Sequence, residues 1–93
     1  MNREINKKAI QKYGVAAQCN IAMEECAELI QAVSKIRRCN DSSTLVHLIE
    51  EMADVSIVID QLMIMYGVTE EVLNLMIQYK QARNALRMEG VKI

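Results

Sequence analysis

Apolar residues recur at intervals of three and four along nearly the whole chain, the spacing that places them on one face of a helix. Between Arg3 and Tyr13 they fall at Ile5, Ala9, Ile10 and Tyr13, with Gly14 where a helix end belongs, which predicts a short first helix. From Val15 to Arg38 the stripe Val15, Cys19, Ala22, Cys26, Leu29, Val33 and Ile36 is unbroken and predicts a long second helix. The polar break Cys39-Asn40-Asp41-Ser42-Ser43 offers several capping residues, and a third helix then extends to Tyr66 and stops at Gly67. Its expected core face carries Leu45, Leu48, Met52, Val55, Ile59, Met63 and Tyr66. Thr69 is placed to cap a fourth helix, with Glu70 and Glu71 against the helix dipole and Val72, Leu73, Leu75, Met76, Tyr79, Ala82 and Leu86 directed inward. The tail from Glu89 to Ile93 is expected to be loose. The pattern predicts an all-α protein, a four-helix bundle-like protomer forming a single domain over residues 1–93.

Beyond Val55 the third helix is apolar almost all round, because Ile57, Val58, Ile64 and Met65 lie outside its main stripe. A helix that apolar in a chain of 93 residues needs a second subunit to cover it, so self-association as an oligomer is expected. Composition agrees with helices: there is no Phe, Trp or Pro, and about half the residues are hydrophobic. With 11 basic and 12 acidic residues and no basic run, the chain lacks the electrostatic footprint of a nucleic-acid polymer binder. Cys19, Cys26 and Cys39 are odd in number and lack C-x-x-C spacing, which argues against a disulfide framework or zinc ribbon. Cys19 and Cys26, a heptad apart, read as small buried hydrophobes in a reducing compartment. The longest apolar run, Val55 to Tyr66, is interrupted by Asp60 and Gln61, so neither a membrane partner nor a signal peptide is expected and the location read is cytoplasmic.

Two acidic clusters interrupt the apolar helices: Glu24-Glu25-Cys26-Ala27-Glu28 and Glu50-Glu51-Met52-Ala53-Asp54. Residues three apart share a helix face, so Glu25 with Glu28, and Glu51 with Asp54, each present two carboxylates to one side. With ~100° per residue, Glu25 and Glu51 fall on the flanks of their apolar stripes, Glu28 and Asp54 further round, and Glu24 toward water. Antiparallel packing of the two helices would bring four carboxylates together, an arrangement that a hard divalent cation such as Mg²⁺ relieves. The single histidine, His47, cannot supply the two E-x-x-H motifs of a di-iron bundle, and reads as a surface or capping-region residue. No Ser or Cys has the base and orienting partner that nucleophilic catalysis needs, which leaves metal-activated water as the nucleophile. Lys80, Asn84 and Arg87 share a face of the fourth helix with Arg83 beside them, a set that either complements the helix dipole or gathers around phosphate. Gln18 lies on the flank that carries Glu25, either as a surface residue or as a reader of a base edge. Asp60 reads as a hydrogen-bonded or interface-rim residue.

The order of these acids resembles the E-E-x-x-E, spacer, E-x-x-D signature of the MazG-like all-α nucleoside triphosphate pyrophosphohydrolases, and Lys80, Asn84 and Arg87 resemble that family's K-x-x-x-N-x-x-R tail. The similarity covers most of the chain, from Tyr13-Gly14 and Gln18 onward. It implies a helical dimer or tetramer that uses Mg²⁺ to split a nucleoside triphosphate into monophosphate and pyrophosphate. Glu25, Glu28, Glu51 and Asp54 would hold the metal, Lys80 and Arg87 would steady the phosphates, and Glu24 would either orient the water or only be exposed. Only Tyr13, Tyr66 and Tyr79 are present to stack on a base, so the nucleotide itself is not specified. The alternative is a non-catalytic helical oligomer or nucleotide-sensing regulator that retains the acidic metal site. The related phosphoribosyl-ATP pyrophosphohydrolases share the chemistry and differ in substrate.

Overall fold

A computed structural model describes residues 1–93 as four helices and no strands: α1 (Arg3–Tyr13), α2 (Val15–Arg38), α3 (Ser42–Tyr66) and α4 (Glu70–Met88). The joints follow from local chemistry. Asn2 accepts the N–H groups of Glu4 and Ile5 at the start of α1. Gly14 alone links α1 to α2: its φ of 90° lies where L side chains are strained, its N–H bonds to the Ile10 carbonyl, and its own carbonyl receives the Gln18 N–H. Asp41 caps α3 through a capping box with Thr44, Gly67 ends that helix in the left-handed region, and the Thr69 hydroxyl caps α4 through the Val72 N–H.

α2 and α3 form the main antiparallel hairpin, and α1 folds back across the end where α2 begins and α3 finishes. That end is fastened by buried polar groups. Asp60 accepts from the Asn6 amide at 2.7 Å and from Arg3 Nε at 3.0 Å, and Gln18 donates to Gln61 at 2.8 Å. A longer contact of 3.5 Å from Gln61 to Asn6 joins the two pairs into one network. Asp60 is therefore a hydrogen-bonded residue between α1 and α3, and Gln18 is a buried residue rather than a surface one.

Four expectations need correction. Within one chain the four helices do not form a bundle: the chain bends by 118° between α3 and α4, short of the roughly 180° reversal of an antiparallel hairpin, and α4 packs on none of the other helices. Val72, Leu75, Met76, Tyr79 and Leu86, expected inward, are exposed, and only Leu73 and Arg83 of α4 are half-covered. The face turned into the α2–α3 seam also differs from the apolar stripe. On α2 it is Gln18, Ala22, Glu25, Leu29, Ala32 and Ile36, a rotation of roughly 50° from the expected line, about half a residue step. On α3 the rotation is roughly one residue step, so Glu51, Val55, Val58, Gln61 and Leu62 turn inward while Leu45, Met52, Ile59 and Tyr66 remain exposed. Cys26 is exposed and Cys19 half-buried, so these two are not the buried hydrophobes that their spacing predicted; Cys39 is exposed as well. Finally, the tail is not loose at its start. Gly90 at φ 91° lets its N–H reach the Arg87 carbonyl and the Val91 N–H reach that of Leu86, a Schellman closure.

The result is an open chain. Only nine of 93 residues are buried, and the radius of gyration of 16.2 Å exceeds the roughly 12 Å of a compact domain of this length. No single helix is long and apolar enough to cross a membrane.

Candidate metal centre

The narrow seam between α2 and α3 owes its close approach to Ala22 and Ala32, both buried and both too small to hold the helices apart. Into the same seam, a turn from each alanine, the helices place acids. Carboxylate oxygens of Glu25, Glu28 and Glu51 lie within 4.8 Å of one another. Glu51 is the deepest, with 7% of its surface exposed; Glu25 is half-buried and Glu28 sits at the open rim. Asp54, one turn beyond Glu51, is half-buried and close enough for its charge to act on both Glu25 and Glu51. Glu24 is exposed and outside the cluster.

The electrostatics are one-sided. The ion pairs of the chain are Arg3–Asp60 and Lys7–Glu4, with His47 4.0 Å from Glu51 and charged there only when protonated, so no Lys or Arg neutralises the cluster. One oxygen of Glu25 and one of Glu51, Oε2 in each case, are buried without any hydrogen-bond partner. Loss of water, followed by the neighbouring charges of Glu28, Asp54 and Glu51, pushes the Glu25 carboxyl up from its ordinary 4.5 to about 6. Glu51 is raised for the same leading reason, then by Glu28 and Asp54, with His47 opposing. An unpaired buried carboxylate normally costs several kcal/mol, of order 2 or more, and is rarely retained without a ligand or partner.

The donor set fits a hard cation. All the donors are carboxylate oxygens, the set suited to Mg²⁺, Ca²⁺ or Mn²⁺ rather than to thiophilic ions. Around Mg²⁺, with oxygens at ~2.1 Å, ligand atoms lie about 3 to 4.2 Å apart, so rotations of flexible glutamate side chains of about 1 Å would draw the present group onto one ion.

The other sequence candidates are placed apart. Lys80 and Asn84 are exposed on α4, away from the α2–α3 seam. Arg87 Nε and Nη2 donate to the Ile93 carbonyl at 3.1 and 2.8 Å, and the Arg83 guanidinium lies 6.0 Å from the Tyr79 ring centre. The Gln18 amide is engaged with Gln61 and offers no free donor pair to a base edge. Two participants carried no weight in the sequence reading. His47 Nδ1 stands 4.0 Å from Glu51 Oε1, a contact its i, i+4 spacing made visible; Asn6, the partner of Asp60, gave no local signal. No family model matches the sequence, and neither a curated protein nor a solved structure matches it.

Proposed function

We propose that this protein is a Mg²⁺-dependent nucleotide pyrophosphohydrolase of the MazG-like kind, cleaving a nucleoside or deoxynucleoside triphosphate to monophosphate and pyrophosphate. The observation that supports it best is the meeting of acids from two helices over buried, unpartnered oxygens with no Lys or Arg to neutralise them. Glu25, Glu28 and Glu51 would hold the ion, with Asp54 beside them. A bound Mg²⁺ supplies Lewis acidity at phosphoryl oxygens and lowers the pKa of water. In the hydrolysis a water oxygen bonds to the α-phosphorus, the bond from that phosphorus to the bridging oxygen breaks, and pyrophosphate departs. Glu24, which the resemblance would make the residue that orients the water and takes its proton, is exposed and lies outside the cluster. Self-association belongs to the same proposal, because the apolar faces of α3 and α4 are uncovered in one chain.

One observation favours the alternative, a non-catalytic oligomer or nucleotide sensor retaining the metal site: Lys80, Asn84 and Arg87 are not assembled around the carboxylates within the chain. A panel of nucleoside and deoxynucleoside triphosphates with phosphoribosyl-ATP, assayed for pyrophosphate with Mg²⁺ and with EDTA, separates the two. Release from at least one compound with Mg²⁺ alone, abolished in Glu51→Gln and Asp54→Asn at unchanged helical content, is expected of the enzyme. Metal binding without release from any compound would overturn the catalytic reading.

A further inference from the structure

The one basic side chain within 4.0 Å of the carboxylate cluster is an imidazole. His47 and Glu51 are one turn apart on α3, with Nδ1 at 4.0 Å from Oε1, and the histidine side chain is 38% exposed. Glu51 is more than nine-tenths buried, and its second oxygen, Oε2, has no partner at all. Its two oxygens therefore have different surroundings, one facing an imidazole and one bare. Every other charged group acting on Glu51 is acidic: Glu28 and Asp54 both repel its negative charge.

We infer that His47 is a positioning residue, which holds Oε1 of Glu51 so that the bare Oε2 is presented to the cation. This rests on the metal reading above. At 4.0 Å the pair is too long for a hydrogen bond, and the half-exposed ring has room to close the gap as Glu51 turns toward an ion. Carboxylates that ligate metals are ordinarily fixed by such outer partners, and loss of one typically costs about 10- to 100-fold in metal affinity. The imidazole faces a single carboxylate oxygen and is not among the ligand atoms that converge on the Glu25–Glu28–Glu51 group, so it acts through Glu51 and not on the ion.

Mn²⁺ titrated into the full-length protein, with free ion read by electron paramagnetic resonance, provides the test. Wild-type protein should bind Mn²⁺, His47→Ala should bind about 10- to 100-fold more weakly, and His47→Asn, whose amide N–H occupies the place of Nδ1–H, should recover most of the loss. Melting of the metal-free proteins should be alike, and the pulsed spectrum of the bound ion should lack direct nitrogen coupling. Absence of Mn²⁺ binding by the wild type would overturn the metal reading itself. Binding by the wild type with equal affinity in His47→Ala, equal weakening in the Ala and Asn variants, or a directly coordinated nitrogen would each overturn the positioning role alone. Where His47→Ala fails to fold, His47→Asn is compared with His47→Gln, whose longer amide is displaced from the Nδ1 position: tighter binding by the Asn variant is expected, and equal affinities in the two overturn the positioning role.

Discussion

Glu25→Gln isolates the energetic consequence of gathering carboxylates in a seam. The raised carboxyl, about 6 in the folded chain against 4.5 ordinarily, corresponds to ~2 kcal/mol of desolvation and repulsion. Screening at a half-buried position brings the usable figure nearer to about 1 kcal/mol. Between these two values the folded chain keeps a proton that the unfolded chain has released, so rising pH favours unfolding. The contribution of this group to stability is complete below 4.5 and is lost as pH rises through about 6. Glutamine preserves the shape without the charge. At neutral pH and without metal, Glu25→Gln should therefore be more stable than wild type by about 1 kcal/mol, a rise of roughly 4–8 °C in Tm for a domain of this length. At about pH 4 the two proteins should melt together. Added Mg²⁺ should raise the Tm of the wild type by mass action and leave that of the variant nearly unchanged. Thermal melts followed by circular dichroism at fixed protein concentration, at both pH values and with EDTA or Mg²⁺, read all three differences. A variant less stable than wild type at neutral pH, or an offset equal at both pH values, would refute the account of the seam.

Other features give sharper structural tests. Asp60→Ala removes the charged acceptor of the buried Asn6 amide and should cost about 2–3 kcal/mol in denaturant unfolding, whereas Arg3→Ala, removing a half-exposed partner of the same carboxylate, should cost less than about 1 kcal/mol. Equal losses would show that the ion pair, not the Asn6 bond, fastens α1. Leu75→Glu, in the apolar groove formed with Val72, Met76 and Tyr79 on α4, should leave helical content unchanged and reduce the sedimenting mass toward the 10.6 kDa of one chain. An unchanged mass would remove α4 from the proposed surface of self-association.

Helix limits were legible in the sequence because their signals are local. Gly14, Asp41, Gly67 and Thr69 each act within a turn of where they stand, and all four mark the observed joints. The orientation of the helices was not legible from periodicity, because the apolar stripe marks everything a helix must bury, not what its own chain covers. On α2, Val15, Cys26 and Val33 carry the stripe yet remain exposed, while Gln18 and Ala32, unremarkable in a periodicity count, meet α3. Asn6 was invisible for a related reason: its partner Asp60 is 54 residues away, and nothing near position 6 announces the pairing. The acids stood out earlier than the seam did, since E-x-x-E spacing shows a shared face whatever that face meets. Their depth did not, and Glu51 is buried where a flank position was expected.

That depth bears on why the seam is built as it is. If the hairpin were selected for stability alone, the inward places of Glu25 and Glu51 would go to residues such as Met23, Ile30, Ile49 and Met52, which one chain leaves on its outside. Apolar residues in place of buried charges are commonly neutral or stabilising, so the present arrangement sacrifices stability in a chain with few buried residues to spare. Departures from local consistency of this kind concentrate at functional sites. The polar network at the other end of the hairpin supplies the contrast. There Gln18, Gln61, Asn6 and Asp60 are as deeply buried as Glu51, yet each has a partner, and no ligand is needed to account for them. Burial of polar groups alone therefore does not mark the site. What marks it is two carboxylates, each with one buried oxygen left bare, side by side in a seam, and a divalent cation is the ligand class that matches their charge and spacing.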